Sequence, residues 1–255
     1  MAQNIYDRED FYNAYITHID RSDKEADLST DPAWTRIGPL IPCLKDKHVL
    51  DLGCGTGWFC RWAIRQGAKS VLGVDISKNM LARARELTST DEFPQIEYQR
   101  ADLDQFTLPD NKTNMYGVVF SSLTLHYLTN LDRMMSLVHR VLQPGGSFVF
   151  NVEHPIYTSP YKPRVVTDKE TDEKSWNFNN YYEEGERVVD WLAPGLRKQH
   201  RTVTGYMQAI LKTNFDLTGF VEFLPTEEEL QKNLVNEIET IRPLFLMMSM
   251  KKRLS

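Results

Sequence analysis

Three glycines at alternate positions, Gly53, Gly55 and Gly57, follow directly on the apolar run His48 to Leu52 in the stretch HVLDLGCGTGWFCRW. Glycine at this density marks a backbone that bends sharply and comes close to another group. Apolar residues then recur at Phe59, Trp62 and Ala63, a helical spacing that runs up to Gly67. The same alternation continues downstream. SVLGVD (70–75) reads as a second strand, and Ser77 caps a helix with Met80, Leu81, Ala84 and Leu87 on one face. IEYQRAD is a third strand ending at Asp102, and YGVVFS (116–121) is a fourth. Met134, Val138 and Val141 mark a helix closed by the turn LQPGG, and SFVFNVE is the fifth strand. Strands and helices alternating at this spacing predict an α/β fold, a Rossmann-like doubly wound parallel sheet with helices on both faces.

The flanks differ. Residues 1–47 carry an aromatic-rich helical stretch with Tyr6, Phe11 and Tyr15, then an acidic link with Pro32 and Pro39. Beyond His154 the alternation lapses. Residues 155–199 hold Tyr157, Tyr161, Trp176, Phe178, Tyr181, Tyr182 and Trp191 among many charges, without a clean period, and a stretch this long suits an inserted substrate lid. A helix over roughly Thr202 to Thr213 and two late strands, GFVEFLP and PLFLMMSM, complete the chain. No repeat or linker divides it. The expectation is one domain over 1–255, with an N-terminal cap (1–47), a cofactor-binding core (48–154), the lid (155–199) and a C-terminal part (200–255).

In an open parallel sheet, ligands lie beyond the carboxyl ends of the strands where strand order reverses, and the glycine loop belongs there. A dinucleotide fingerprint would place its third glycine at position 58, where this chain has Trp. Asp51, just before the glycines, would repel a pyrophosphate but can accept a hydrogen bond from an ammonium group. Asp75 lies 20 residues after Gly55, where a carboxylate can take both ribose hydroxyls. Ile76 can lie against a purine, and Asp102, with the backbone of Leu103, can meet an adenine amine. Acids after three successive strands describe a nucleoside joined to an amino acid, S-adenosylmethionine.

VLDLGCGTGW, VLGVDISKNML, RADLDQF, YGVVFSSLTLHYL and LQPGGSFVF resemble, in order and spacing, the class I S-adenosylmethionine-dependent methyltransferases. The resemblance implies a seven-stranded sheet, mostly parallel, whose last strand is antiparallel and inserted next to the sixth. It implies that Asp51 and the three glycines hold the methionine end, Asp75 the ribose, and Asp102 with Leu103 the adenine. Cys54, Met80 and Ser121 join this cofactor set. NVEHPIYT and KQHRTVTGYMQAI look like a small-molecule branch of the family. Tyr6, Tyr15, Tyr157 and Trp176 are the candidates to hold the acceptor.

Methyl transfer from a sulfonium depends chiefly on alignment, and a base is needed only where the acceptor carries a proton to be lost. His154 at the end of the fifth strand, His200 at the start of the following helix and His126 after the fourth strand are the candidate catalytic histidines. The net charge of −5 and the lack of an Asn-Pro-Pro-Tyr-like motif after the fourth strand (here SSLT) weigh against nucleic acid as partner. Cys43, Cys54 and Cys60 lack paired spacing, so neither disulfide nor metal is expected. The polar start MAQNIYDRED and the absence of a long apolar run point to a cytoplasmic chain away from membranes. A nucleic-acid or protein methyltransferase, a non-catalytic cofactor-binding partner and a nicotinamide-dependent oxidoreductase stand as alternatives.

Overall fold

The computed structural model describes residues 3–20, 28 and 30–254, so residues 21–27 and 29 of the acidic link lie outside the described residues. A single 3₁₀ turn, Ile5–Asp7, leads into α1 (Glu9–His18), and Pro32 and Pro39 flank the short α2 (Trp34–Ile37). The alternating core follows as β1 (His48–Leu52), α3 (Trp58–Arg65), β2 (Ser70–Asp75), α4 (Lys78–Leu87) and β3 (Ile96–Arg100). It continues with β4 (Tyr116–Ser122), α5 (Leu131–Val141) and β5 (Leu142–Glu153). β3 stops at Arg100, so Asp102 belongs to the loop after the strand. β5 takes in the LQPGG turn, with a shift of register against β4 between Tyr116 and Val118.

Beyond β5 come α6 (Pro155–Thr158), then β6 (Val165–Thr167) paired with β7 (Lys174–Trp176), and β8 (Gly185–Trp191) paired with β9 (Ala193–His200). The irregular lid of the sequence is therefore two antiparallel hairpins. Its alternation is hidden because charged residues take inward positions. Arg187 is buried and donates to the carbonyls of Ser159 and Glu183 at 2.9 and 2.6 Å, and buried Lys198 pairs with Glu153. His200 ends β9 instead of starting a helix. Thr202 caps α7 (Val203–Leu211), and β10 (Phe215–Glu222), α8 (Glu227–Gln231) and β11 (Phe245–Lys252) close the chain.

The main sheet has seven strands in the order β10-β11-β5-β4-β1-β2-β3, and β11 runs antiparallel to both of its neighbours. Both faces are buried, so successive residues feed opposite layers. Leu50 and Leu52 of β1 and Phe148 and Phe150 of β5 join the layer of α5 and α7, while Val49 and Val149 join that of α2 and α3. Trp58 and Trp62 meet Trp34 edge-on at 5.5 and 4.7 Å, a packing role. No helix among the described residues is long and apolar enough to cross a membrane.

A third apolar cluster joins Ile5 and Phe11 to Ala193 and Leu196, so the N-terminal segment and the β8–β9 hairpin form a roof over the carboxyl edge. Asp7 anchors this roof to the start of α4. Its carboxylate accepts from the Ser77 hydroxyl at 2.6 Å and from the Asn79 amide at 3.0 Å. Burial alone would raise its pKa, but the hydrogen bonds from Ser77, Asn79, Lys78 and Asn4 outweigh it and hold it below the ordinary carboxylate value. A carboxyl group lowered on folding stabilises above its unfolded pKa and loses that contribution as pH falls through the lowered value. Asp7→Ala is expected to cost about 1 kcal/mol, in the range of a lost helix cap, and to speed amide exchange across 5–18 more than in the sheet. Exchange unchanged in that segment would refute the anchoring role.

Candidate active site

β1 pairs with β2 on one side and with β4 on the other, so strand order reverses at β1. The chain leaving β1 is drawn toward β2, because the amides of Gly53 and Cys54 both donate to the Val74 carbonyl, at 2.8 and 3.0 Å. Gly53 has φ +80, and a Cβ there would lie 2.0 Å from Thr124 Oγ1, so glycine lets the loop after β1 touch the loop after β4. Gly55, at φ +53, has nothing within 4 Å of where its Cβ would stand. It borders a cavity of about 670 Å³ that extends from this loop to the roof. A volume of this size lies within the ~300–1,000 Å³ range of small-molecule sites.

Gly53, Gly55, Asp75, Ile76, Met80, Asp102 and Leu103 line one half of the cavity. Asp75 Oδ2 accepts from the Gly55 amide at 2.9 Å and Oδ1 from the Ser77 amide at 2.8 Å, which fixes the carboxylate while each oxygen keeps a lone pair. Burial raises its pKa, and these amides oppose the rise. The open backbone at Gly55, a fixed carboxylate and apolar Ile76, Met80 and Leu103 match the ammonium-bearing, ribosyl and purine parts of S-adenosylmethionine.

The remaining members of the expected cofactor set stand behind this wall. Asp51 is buried and accepts from the Cys60 thiol at 3.3 Å. Burial pushes its pKa up to about 7, eased by the Cys60 thiol and reinforced by Asp75. Asp51 is not on the cavity wall, because the two amide bonds to Val74 turn the chain away above it. Cys54 is also buried, Gly57 caps α3 against Tyr98, and the Ser121 hydroxyl donates to the Leu52 carbonyl at 2.8 Å, tying β4 to β1.

The other half of the cavity is bounded by His126 and Tyr127 after β4, Glu153 at the end of β5, Tyr157 of α6, and Trp191, Leu196 and Gln199 of the hairpin. Tyr6 and Tyr15 come down from the roof, with the Tyr6 and Tyr127 hydroxyls 3.2 Å apart. Trp176 stands outside. It stacks behind Tyr157 at 5.6 Å and donates its indole N–H to the Ile156 carbonyl.

Of the three histidines, only His126 lines the cavity. His154 accepts at Nδ1 from the Ile156 amide (3.0 Å), which leaves Nε2–H to donate to Glu222 (2.8 Å). His200 donates from Nε2 to the Tyr181 carbonyl and accepts at Nδ1 from the Thr158 hydroxyl, both at 2.8 Å. Both ring nitrogens of each are used, and neither residue lines the cavity where the acceptor is expected. His126 Nδ1 finds no partner among the described residues. Burial, with Lys198 and Arg201 nearby, pushes its pKa down to about 4, against a smaller opposing pull from Glu153. Arg201 donates to the carbonyls of Leu125 and Leu128 and pins the turn that carries His126.

Sequence reasoning passed over Glu153, Tyr127, Thr124 and Gln199, and named Trp191 only among the aromatics of the lid. For Glu153 the signal was present in the strand period. Adjacent residues at a strand end face opposite ways, so choosing His154 as structural would have selected Glu153.

The fold and the wall define a nucleoside-binding methyl-transfer class, and comparison with known proteins agrees. A methyltransferase domain model matches residues 50–150. The crystal structure of an S-adenosylmethionine-dependent methyltransferase from Mesorhizobium loti is 40% identical, with a TM-score of 0.79 over 87% of this chain and 98% of that one. The chain belongs to the S-adenosylmethionine-dependent methyltransferases, with S-adenosylmethionine as its cofactor. More distant similarity reaches a malonyl-[acyl-carrier protein] O-methyltransferase of Buchnera aphidicola, 38% identical over 40% of this chain and 38% of that protein. A tRNA U34 carboxymethyltransferase of Hahella chejuensis is 30% identical over 54% of this chain and 40% of its own length. The chain thus spans about two fifths of each of these two relatives.

Asp75→Ala is expected to weaken S-adenosylmethionine binding about 10- to 100-fold in a folded protein, the usual worth of charge-assisted hydrogen bonds. Asp102→Ala is expected to weaken it less. Calorimetry with each variant decides, and unchanged affinity for Asp75→Ala would make that carboxylate a loop brace only.

Proposed function

We propose that the enzyme methylates a small-molecule acceptor enclosed in the half of the cavity between His126, Glu153 and the β8–β9 hairpin, with its four segments working as one methyltransferase domain. The supporting observation is that a single cavity joins the glycine-loop wall to a chamber already roofed by the N-terminal segment and the hairpin. S-adenosylmethionine, when bound, supplies a methyl group on a positively charged sulfur, an electrophile that needs alignment more than activation. The chain's own part is to hold the acceptor within about 3–3.5 Å of that carbon and to keep water out. Rigid rings suit this task, because Tyr6 is braced edge-on against Tyr127 and Phe11, and Trp191 edge-on against Phe11.

His126 is proposed as the orienting group for the acceptor. Its lowered pKa keeps the imidazole neutral throughout the physiological range, so it offers a hydrogen bond without a charge. A screen with isotopically labelled S-adenosylmethionine over small amines, alcohols, carboxylic acids and thiols tests the reading. Turnover confined to a macromolecular acceptor would overturn it.

Three outcomes follow for the histidines. His126→Asn is expected to lower kcat by about 10²-fold while cofactor affinity holds. The rate of the wild type is expected to show no step from this group between pH 6 and 8. His126, His154 and His200 all have lowered pKa values through burial. The unfolded chain binds protons first, near its ordinary value of about 6.5. Their folded neutral state therefore favours stability above that pH, and stability falls as pH drops toward about 4. Asp51, raised to about 7 by burial, titrates with the opposite sign in this window, so urea titrations of the wild type and of His126→Asn are compared at pH 7.5, 6 and 5. A wild-type midpoint that does not fall relative to that of the variant would contradict the role of His126.

A further inference from the structure

The polar groups of the acceptor chamber are unevenly signed. Four acids, Asp75, Asp102, Glu153 and Glu186, line the cavity, against a single basic side chain among the described residues, Arg197. Arg197 is itself exposed and faces Glu186 at 3.5 Å. Asp75 and Asp102 belong to the cofactor half. Glu153 stands in the other half, and its environment is built.

Glu153 Oε2 takes the ammonium of Lys198 at 2.6 Å, and the Lys198 side chain is only 3% exposed. Lys198 is not part of the cavity wall, so the chamber meets the carboxylate and not the cation behind it. Burial would raise the Glu153 pKa, but the cations around it, the Lys198 ammonium first, outweigh it and hold the group below the ordinary carboxylate value. Oε1 has no hydrogen-bond partner among the described residues. A second, independent feature lies beside it. His126, 1% exposed and on the same wall, has an Nδ1 without a partner. The rest of this wall includes the rings of Tyr6, Tyr127 and Trp191, whose faces favour a cation over an anion. A carboxylic-acid acceptor would meet an ionised oxygen there, and Arg197, the one cationic side chain of the wall among the described residues, already faces Glu186.

We propose that the acceptor is a small amine that reacts in its neutral form, anchored through an N–H on Glu153 Oε1. Its lone pair forms the N–CH3 bond as the methyl–sulfur bond breaks and S-adenosylhomocysteine leaves. The positive charge passes to the N-methylammonium product, which the rings of Tyr6, Tyr127 and Trp191 shelter. This inference rests on the reading of the chain as a small-molecule methyltransferase and names the class of its acceptor. Glu153 is the group that selects for the amine, and Lys198 is a positioning residue that keeps it ionised and in place.

The test uses three size-matched probes, phenethylamine, 2-phenylethanol and 3-phenylpropionate, titrated calorimetrically into the full chain saturated with S-adenosylhomocysteine. Phenethylamine is expected to bind at least about tenfold tighter than either of the others. Glu153→Gln is expected to remove that preference while S-adenosylhomocysteine affinity stays unchanged, and Glu153→Asp is expected to retain it in part. If Glu153→Gln does not fold, as judged by circular dichroism, the ranking of the probes on the wild type and on Glu153→Asp decides. Equal binding of the three probes, preference for the acid, no binding of the amine, or a preference that survives Glu153→Gln would each overturn the inference. The probes also separate the two readings. Binding of none of the three by the S-adenosylhomocysteine-saturated chain would count against the small-molecule reading, whereas binding of the alcohol or the acid with the wrong ranking sinks only the amine.

Discussion

The reversal of strand order at β1 is the constraint on which the site depends. The connection after β1 leaves toward the layer of α3, and the connection after β4 leaves toward the layer of α5, on the opposite face of the sheet. Two neighbouring parallel strands whose continuations diverge leave a cleft at their carboxyl ends. Here the two loops touch where Gly53 meets Thr124, with no space for a Cβ. That contact sets the depth of the cleft floor. From it the chain climbs on one side past Gly55 to Asp75, and on the other past Thr124 to His126 and Tyr127. The cofactor wall and the acceptor wall are therefore two sides of one packing event.

A cleft opened in this way is uncovered above, and the roof comes from parts of the chain far apart in sequence. The N-terminal segment and the β8–β9 hairpin share an apolar cluster, and Asp7 fastens their joint edge to α4. The buried pair Glu153–Lys198 ties β5 to β9 beneath that roof. Buried ion pairs seldom add net stability over apolar residues of the same volume, because desolvation offsets much of their attraction. Packing alone gives no reason for a charged pair at this place. What it presents to the chamber, an ionised oxygen at a fixed position, does.

The core was legible because its physics is local. The boundaries of β1 and β2 follow from apolar runs bounded by glycine or a capping serine, and Ser77 caps α4 by accepting from the Met80 amide at 3.1 Å. The seven-stranded order with an antiparallel β11 agrees with the family resemblance. The two hairpins were hidden by Arg187 and Lys198, whose partners lie in other elements and leave no mark on local periodicity. The sides that the histidines face stayed hidden for a related reason. Position at a strand end says that a residue is near the carboxyl edge, but not which side of the strand it faces. His154 turns to Glu222 and caps α6, whereas its neighbour Glu153 faces the cavity. Asp51 shows the same limit, since its adjacency to the glycines places it under the loop and not in the opening.

The neutral state of His126 bears on why this side chain can stand where it does. A cavity that receives a cationic methyl donor would be disturbed by a second positive charge on its wall. A histidine near its ordinary pKa would carry such a charge for part of the time around pH 6.5. Burial removes it, and the nearby cations Lys198 and Arg201 reinforce the effect, while Glu153 opposes it and does not prevail. The same surroundings that make the imidazole a weak base preserve a polar atom without introducing a charge. Lys198 thus acts on both neighbours at once: it lowers the pKa of Glu153 and adds a smaller lowering to that of His126, whose neutral state burial secures. That pairing of an ionised acceptor of hydrogen bonds with an uncharged ring is what a site needs if it is to hold a nitrogen nucleophile close to a positively charged donor.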